Sequence, residues 1–155
     1  MRSNDDAESE GVPIVGDMGT FRTTIAVEHV ANRGRTEVLR DVLVDTGADA
    51  TWVPRAILDA LGIRPERSER YRMADGRVLK REVGFAVVHV GNKATVDEVV
   101  FGEPTDTVIL GTRSLEGLNL RVDPRGKRLV SGGPIITGAL GAFVTWYSGR
   151  RVHQL

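Results

Sequence analysis

Apolar and polar residues alternate with period two along much of this chain, the spacing of half-buried strands. Phe21, Thr23, Ile25 and Val27 alternate with Arg22, Thr24, Ala26 and Glu28, which predicts a first strand. Asn32-Arg33-Gly34 reads as a turn. From Glu37 to Val44, Val38, Arg40, Val42 and Val44 fall on one face and Leu39 and Leu43 on the other. This predicts a second strand whose end is deeply buried. Pro54 to Leu61 predicts a short helix: Pro54 suits the first turn, Ile57, Leu58 and Leu61 share a face, and Gly62 stops it. Glu69–Met73 and Arg77–Val90 predict two strands around Ala74-Asp75-Gly76, and an Asp-Gly pair between strands signals a hairpin. A second turn at Val90–Ala94 leads into Thr95–Phe101, and Thr107–Leu110 continues the strand pattern. Arg113–Leu118 predicts another short helix with Thr112 as its cap. Leu118–Val122 and Lys127–Val130 flank a turn at Asp123-Pro124-Arg125-Gly126. No repeat on the scale of about 20–50 residues appears.

The two ends depart from this pattern. Met1–Asp17 holds one arginine against five acids and little apolar bulk before Val12. It lacks the apolar stretch of a signal peptide and predicts a disordered acidic tail over residues 1–17. A domain then spans 18–130. The segment 131–155 is an extension that carries Phe143, Trp146 and Tyr147, expected to pack as an arm on a dimer interface or in a cleft. Leu129–Gly149 is uncharged for 21 positions, but Pro134 and five glycines interrupt it, which argues against a membrane span.

Composition narrows the chemistry. A length of 155 residues fits one core. The 21 basic and 21 acidic residues balance, so no general electrostatic grip on nucleic acid is expected. The absence of cysteine removes disulfides, thiolate metal sites and cysteine nucleophiles. His29, His89 and His153 lack metal-like spacing, so no metal or other cofactor is expected. Arg64, Arg67, Arg70 and Arg72 read as a solvated basic face. Ser114 and Ser131 lack the context of an activated nucleophile. The default location is cytoplasmic.

The strongest constellation is Val42-Leu43-Val44-Asp45-Thr46-Gly47-Ala48-Asp49-Ala50-Thr51, where an apolar strand runs straight into a polar turn. An acid at the end of a buried strand is costly unless hydrogen-bonded or functional. Asp-Thr-Gly alone reads more readily as a strand-end turn, with Asp and Thr bonding the backbone and Gly supplying positive φ. Its context is more specific. Val53-Pro54 opens a helix closing at Leu61-Gly62-Ile63, the Ala74-Asp75-Gly76 hairpin follows, and Val108-Ile109-Leu110-Gly111 precedes another helix. Taken in this order, from about Met18 to Val130, the chain resembles the retropepsin-like (retroviral-type) aspartic proteases, as a bacterial-type single-domain member. The segment Leu115–Asp123 also looks like bacterial members.

That resemblance implies a mainly β, acid-protease half-barrel with one or two short helices, paired as a two-fold homodimer. It implies an aspartic endopeptidase acting on peptide or protein substrates through a water held by two carboxylates, one Asp45 from each chain. Thr46 and Gly47 would support the catalytic loop, with Thr46 bonding across the dimer. Ala48 and Asp49 would bind substrate backbone, although Asp49 could equally pair with an arginine such as Arg113. Met73, Ala74, Asp75 and Gly76 would form a flap tip over the substrate. The flap departs from the viral pattern, with Gly76 its only glycine. A non-catalytic peptide-binding or assembly module on the same fold is the alternative reading.

Overall fold

The computed structural model describes residues 20–135. The expected acidic tail, most of the 131–155 extension and most of the uncharged Leu129–Gly149 stretch lie outside them. In chain order the elements are β1 (Thr20–Glu28), β2 (Thr36–Asp45), β3 (Thr51–Pro54), α1 (Arg55–Ala60) and β4 (Arg67–Arg72). There follow β5 (Val78–Val90), β6 (Lys93–Gly102), β7 (Ile109–Leu110), α2 (Thr112–Gly117), β8 (Leu120–Asp123) and β9 (Arg128–Ser131). The chain is mainly β with two short helices, as expected.

Seven strands form one sheet in the order β1-β2-β7-β3-β6-β5-β4, and β1 also pairs with β5 through Ala26–His89, Val27–Val88 and Glu28–Val87. That extra pairing curls the sheet back on itself and leaves β4 outside the closed ring. β4 pairs with β5 from Arg67–Val83 to Arg72–Val78, so the β4–β5 hairpin projects from the barrel, and among the described residues the other edge of β4 is unpaired. β8 and β9 make a separate two-stranded ribbon.

The core is built from the buried faces of these strands: Phe21, Ile25, Val27, Val42, Val44, Val53, Val88, Val99, Phe101 and Leu110, with Leu58 of α1 and Leu115 of α2. One expectation about β2 is corrected. Val38 does not share the environment of Val42 and Val44; it is exposed, while Leu39 packs on the core. The cause is a bulge. Thr23 faces Val42 and Ile25 faces Leu39, so β2 carries one residue more than β1 across this stretch. Asp41, at φ 56°, absorbs it. One extra residue inverts a period-two alternation, which moves Val38 to the solvent side.

Both helices run six residues. Pro54 stands at the N-cap of α1. Gly111, and not Thr112, stands at the N-cap of α2. Thr112 is instead the first helical residue, and its hydroxyl is used on another loop, described below. Among the described residues no helix is long and apolar enough to cross a membrane.

Candidate active site

β2 carries the chain out of the core into the Asp-Thr-Gly turn. Val42 and Val44 are fully buried and Asp45 is half-buried at the strand end. Parallel pairing of Leu43 and Val44 with Ile109 and Leu110 fixes this end of β2 against β7. Leu43 N–H also donates to Val108 O at 3.0 Å. The loop closes on Asp45 itself: Gly47 N–H donates to its Oδ1 at 2.8 Å and Ala48 N–H to its carbonyl at 3.2 Å. The first bond orients the carboxylate by backbone geometry.

The start of α2 clamps this loop from behind. Thr112 Oγ1 donates to Thr46 O at 3.0 Å, Thr112 N–H to Ala48 O at 2.8 Å and Arg113 N–H to Asp49 O at 3.1 Å. Loop carbonyls thus take up the unused amides of the first helical turn. The approach is so close that only glycine fits at 111. A Cβ there would lie 2.4 Å from Ala50 O and 2.7 Å from Asp49 O.

A cleft opens over the loop, lined by Asp45, Gly47, Ala48 and Asp49 below and by Met73 and Ala74 of the hairpin above. Its wall is apolar. Ala50, Trp52, Val100 and Ile109 form a second buried cluster, and Leu43, Ala48, Tyr71 and Met73 pack on it. Trp52 and Tyr71 meet edge to face with ring centroids 5.2 Å apart. Burial in this wall pushes the Tyr71 phenol above its usual range.

Six of the nine residues singled out from sequence therefore line one cleft. The other three are Thr46, Asp75 and Gly76. Thr46 is exposed beside the cleft, with its carbonyl held by Thr112. Asp75 and Gly76 form the hairpin turn. There Asp75 Oδ1 accepts Arg77 N–H at 3.0 Å and its Oδ2 accepts Arg77 Nε at 2.6 Å. The backbone amide and then the guanidinium hold the Asp75 carboxyl below its usual range. The suggested Asp49–Arg113 ion pair does not form. Arg113 pairs instead with Glu98 at 3.1 Å.

The four arginines of the basic run are all exposed, as expected. Arg67 bridges Glu69 and Glu98, while Arg70 and Arg72 line the cleft. His89 bonds Glu28 at 2.8 Å, and His29 Nδ1 accepts the amides of Ala31 and Asn32. Trp52, Tyr71 and Ile109 were not singled out from sequence. For Tyr71 a signal existed: with Met73 it keeps the inward parity of the hairpin strand.

The sequence model of the gag-polyprotein putative aspartyl protease family matches residues 36–117, just over half of the chain. The chain belongs to this family. The match starts at β2 and ends within α2, so it encloses the Asp45 loop, the hairpin and Gly111. Among solved structures, the chain is similar to the solution structure of the Simian Foamy Virus (mac) protease, at 21% identity and a TM-score of 0.41. That likeness covers 61% of this chain and 92% of the viral one. It is also similar to the crystal structure of a retropepsin-like aspartic protease from Rickettsia conorii, at 21% identity and a TM-score of 0.42, covering 70% of this chain and 80% of that one. No curated protein shares a recognisable similarity. The matched stretch includes Asp45-Thr46-Gly47.

Proposed function

We propose that the protein is an aspartic endopeptidase whose active form is a homodimer, with one Asp45 from each chain. The observation that carries this reading is the placement of Asp45. It stands at the open end of a buried strand, is oriented by the Gly47 amide, and faces a cleft walled by Trp52, Tyr71 and Ile109. The chain carries a single Asp-Thr-Gly, so a two-carboxylate site needs two chains. Two facing carboxylates do not both ionise readily and share a proton. One then accepts a proton from the attacking water while the other gives one to the peptide carbonyl.

The supporting residues take roles that suit their positions. Thr46 is exposed with its backbone anchored, which leaves its hydroxyl available to the opposite loop. Gly47 orients the acid, and Ala48 and Asp49 present the loop edge to an extended substrate. Met73 and Ala74 cover the cleft from the hairpin, with Asp75 and Gly76 making the turn that lets it fold over. We place the enzyme in the cytoplasm.

The test is cleavage of a mixed peptide pool by wild type and Asp45→Asn from acid to neutral pH, read by mass spectrometry. The expected outcome is cleavage by wild type and a loss of about 10²–10⁴-fold in the variant, with fold and dimer retained. Absence of wild-type cleavage at every pH from a folded dimer would leave the peptide-binding module as the reading.

A further inference from the structure

A buried chain of side-chain hydrogen bonds runs behind the Asp45 loop, from α2 through β3 to β6. Gly111 N–H donates to Thr51 Oγ1 at 3.0 Å. Thr51 Oγ1 lies 2.6 Å from Ser114 Oγ, and Ser114 Oγ donates to Asp97 Oδ2 at 2.9 Å. Thr51 and Ser114 are both fully buried. The direction of the chain is fixed by chemistry. A carboxylate only accepts, so the Ser114 proton points at Asp97, and Thr51 must then give its own proton to Ser114. Thr51 is left with a free lone pair aimed at the Gly111 amide. The far end is also anchored, because Asp97 Oδ1 accepts Glu98 N–H at 2.7 Å.

From these contacts we infer that Asp97 is a positioning residue for Asp45, acting through Ser114, Thr51 and Gly111. Gly111 lies against the carbonyls of Asp49 and Ala50, and the next two residues donate to Thr46, Ala48 and Asp49. Fixing Gly111 therefore fixes the loop that holds Asp45. A carboxylate at the end of the chain polarises each hydroxyl toward it, and charge-assisted bonds are the stronger kind. Asp97 is not among the residues that line the cleft, so the hydrogen-bonded chain is its route to the loop.

The kinetic arm of the test rests on the peptidase reading; the exchange arm does not. Amide exchange by NMR is measured for Gly111 and residues 45–50 in wild type, Thr51→Val, Thr51→Ser and Asp97→Ala. Thr51→Val keeps the side-chain shape without the hydroxyl, and Thr51→Ser keeps the hydroxyl. The expected result is exchange at Gly111 faster by about tenfold or more in Thr51→Val and Asp97→Ala, but close to wild type in Thr51→Ser. Exchange along the β5–β6 pairing should not change beyond Asp97 itself and Glu98, whose amide donates to it. In peptide cleavage the same two variants should lose about tenfold in kcat with KM within about twofold, and Thr51→Ser should recover kcat. Unchanged Gly111 exchange in Asp97→Ala would overturn the inference, as would equal losses in Thr51→Val and Thr51→Ser, which would mark a packing role. Should Thr51→Val fail to fold, Asp97→Ala decides, since its site is half-buried on a strand. A wild type that cleaves nothing would sink the peptidase reading while the exchange result still judges the chain.

Discussion

At Gly111 a single hydrogen atom separates a fitting side chain from a clash with two carbonyls. The loop behind Asp45 and the start of α2 are both held by backbone bonds, so neither can retreat freely. Gly111→Ala should therefore cost about 1–3 kcal/mol, the range of overpacking in a tight interior. A denaturant melt would show it as a lower midpoint with an unchanged slope. Glu28 is the other residue whose environment dictates a measurable consequence. Its side chain is only 5% exposed and accepts Gly34 N–H, His89 Nε2 and Arg33 Nε. The Gly34 amide first, then His89, lower its pKa from 4.5 to about 2. A carboxyl lowered on folding stabilises the fold fully above its unfolded value, and that stability fades as pH falls through the folded one. The advantage of wild type over Glu28→Gln should hold above about pH 4.5 and shrink toward pH 2, as thermal melts across that window would show. Residues of this kind differ in legibility. Asp45, Gly47, Ala48 and Asp49 were readable because they are contiguous. Trp52, Tyr71 and Ile109 come from three elements, and only the folded sheet brings them to one wall.

Among the elements, the β4–β5 hairpin has a clear dependence on one backbone conformation. Gly76 sits at φ +88° with no heavy atom near an added Cβ, so substitution there is limited by conformation rather than space. A β-branched residue in this region costs about 1–2 kcal/mol, whereas asparagine tolerates it. If the hairpin closes over substrate, Gly76→Val should raise KM and lower Tm by a few degrees, and Gly76→Asn should keep the wild-type KM with a smaller loss of Tm. Steady-state kinetics alongside a thermal melt separates the two. The hairpin was legible from Asp75-Gly76 because its turn is a local property. The bulge at Asp41 was not, since it exists only in the pairing of β2 with β1. Counting alternation along β2 alone put Val38 on the buried face, and a long-range register decided otherwise. The same holds for the β1–β5 contact that closes the sheet, and for the cap of α2. Thr112 has the chemistry of a cap, but its hydroxyl is claimed by Thr46 across 66 positions of sequence.

At the scale of the whole molecule the question is how many chains make one site. One chain offers Asp45 and Asp49 to its cleft, and the role proposed for Asp49 is contact with substrate backbone rather than with the water. A two-carboxylate mechanism on this architecture then makes activity a property of pairs. Dilution below the dimer dissociation constant should lower specific activity, because mass action removes the pairs. A mixing experiment is sharper. Wild type and Asp45→Asn are unfolded together in equal amounts, refolded, and assayed well above the dissociation constant. Random pairing leaves about a quarter of the dimers with both Asp45 carboxylates, so activity should fall to about a quarter of that of an equal total of wild type. If each chain instead worked alone with its own Asp45, the mixture would keep about half. The distinction survives any uncertainty in substrate, since both values are ratios on the same peptide. It also separates the dimer from its alternatives by stoichiometry alone. A value near one half would overturn the shared site while leaving the Asp45 chemistry standing. A value near one quarter would require that the second carboxylate comes from the partner.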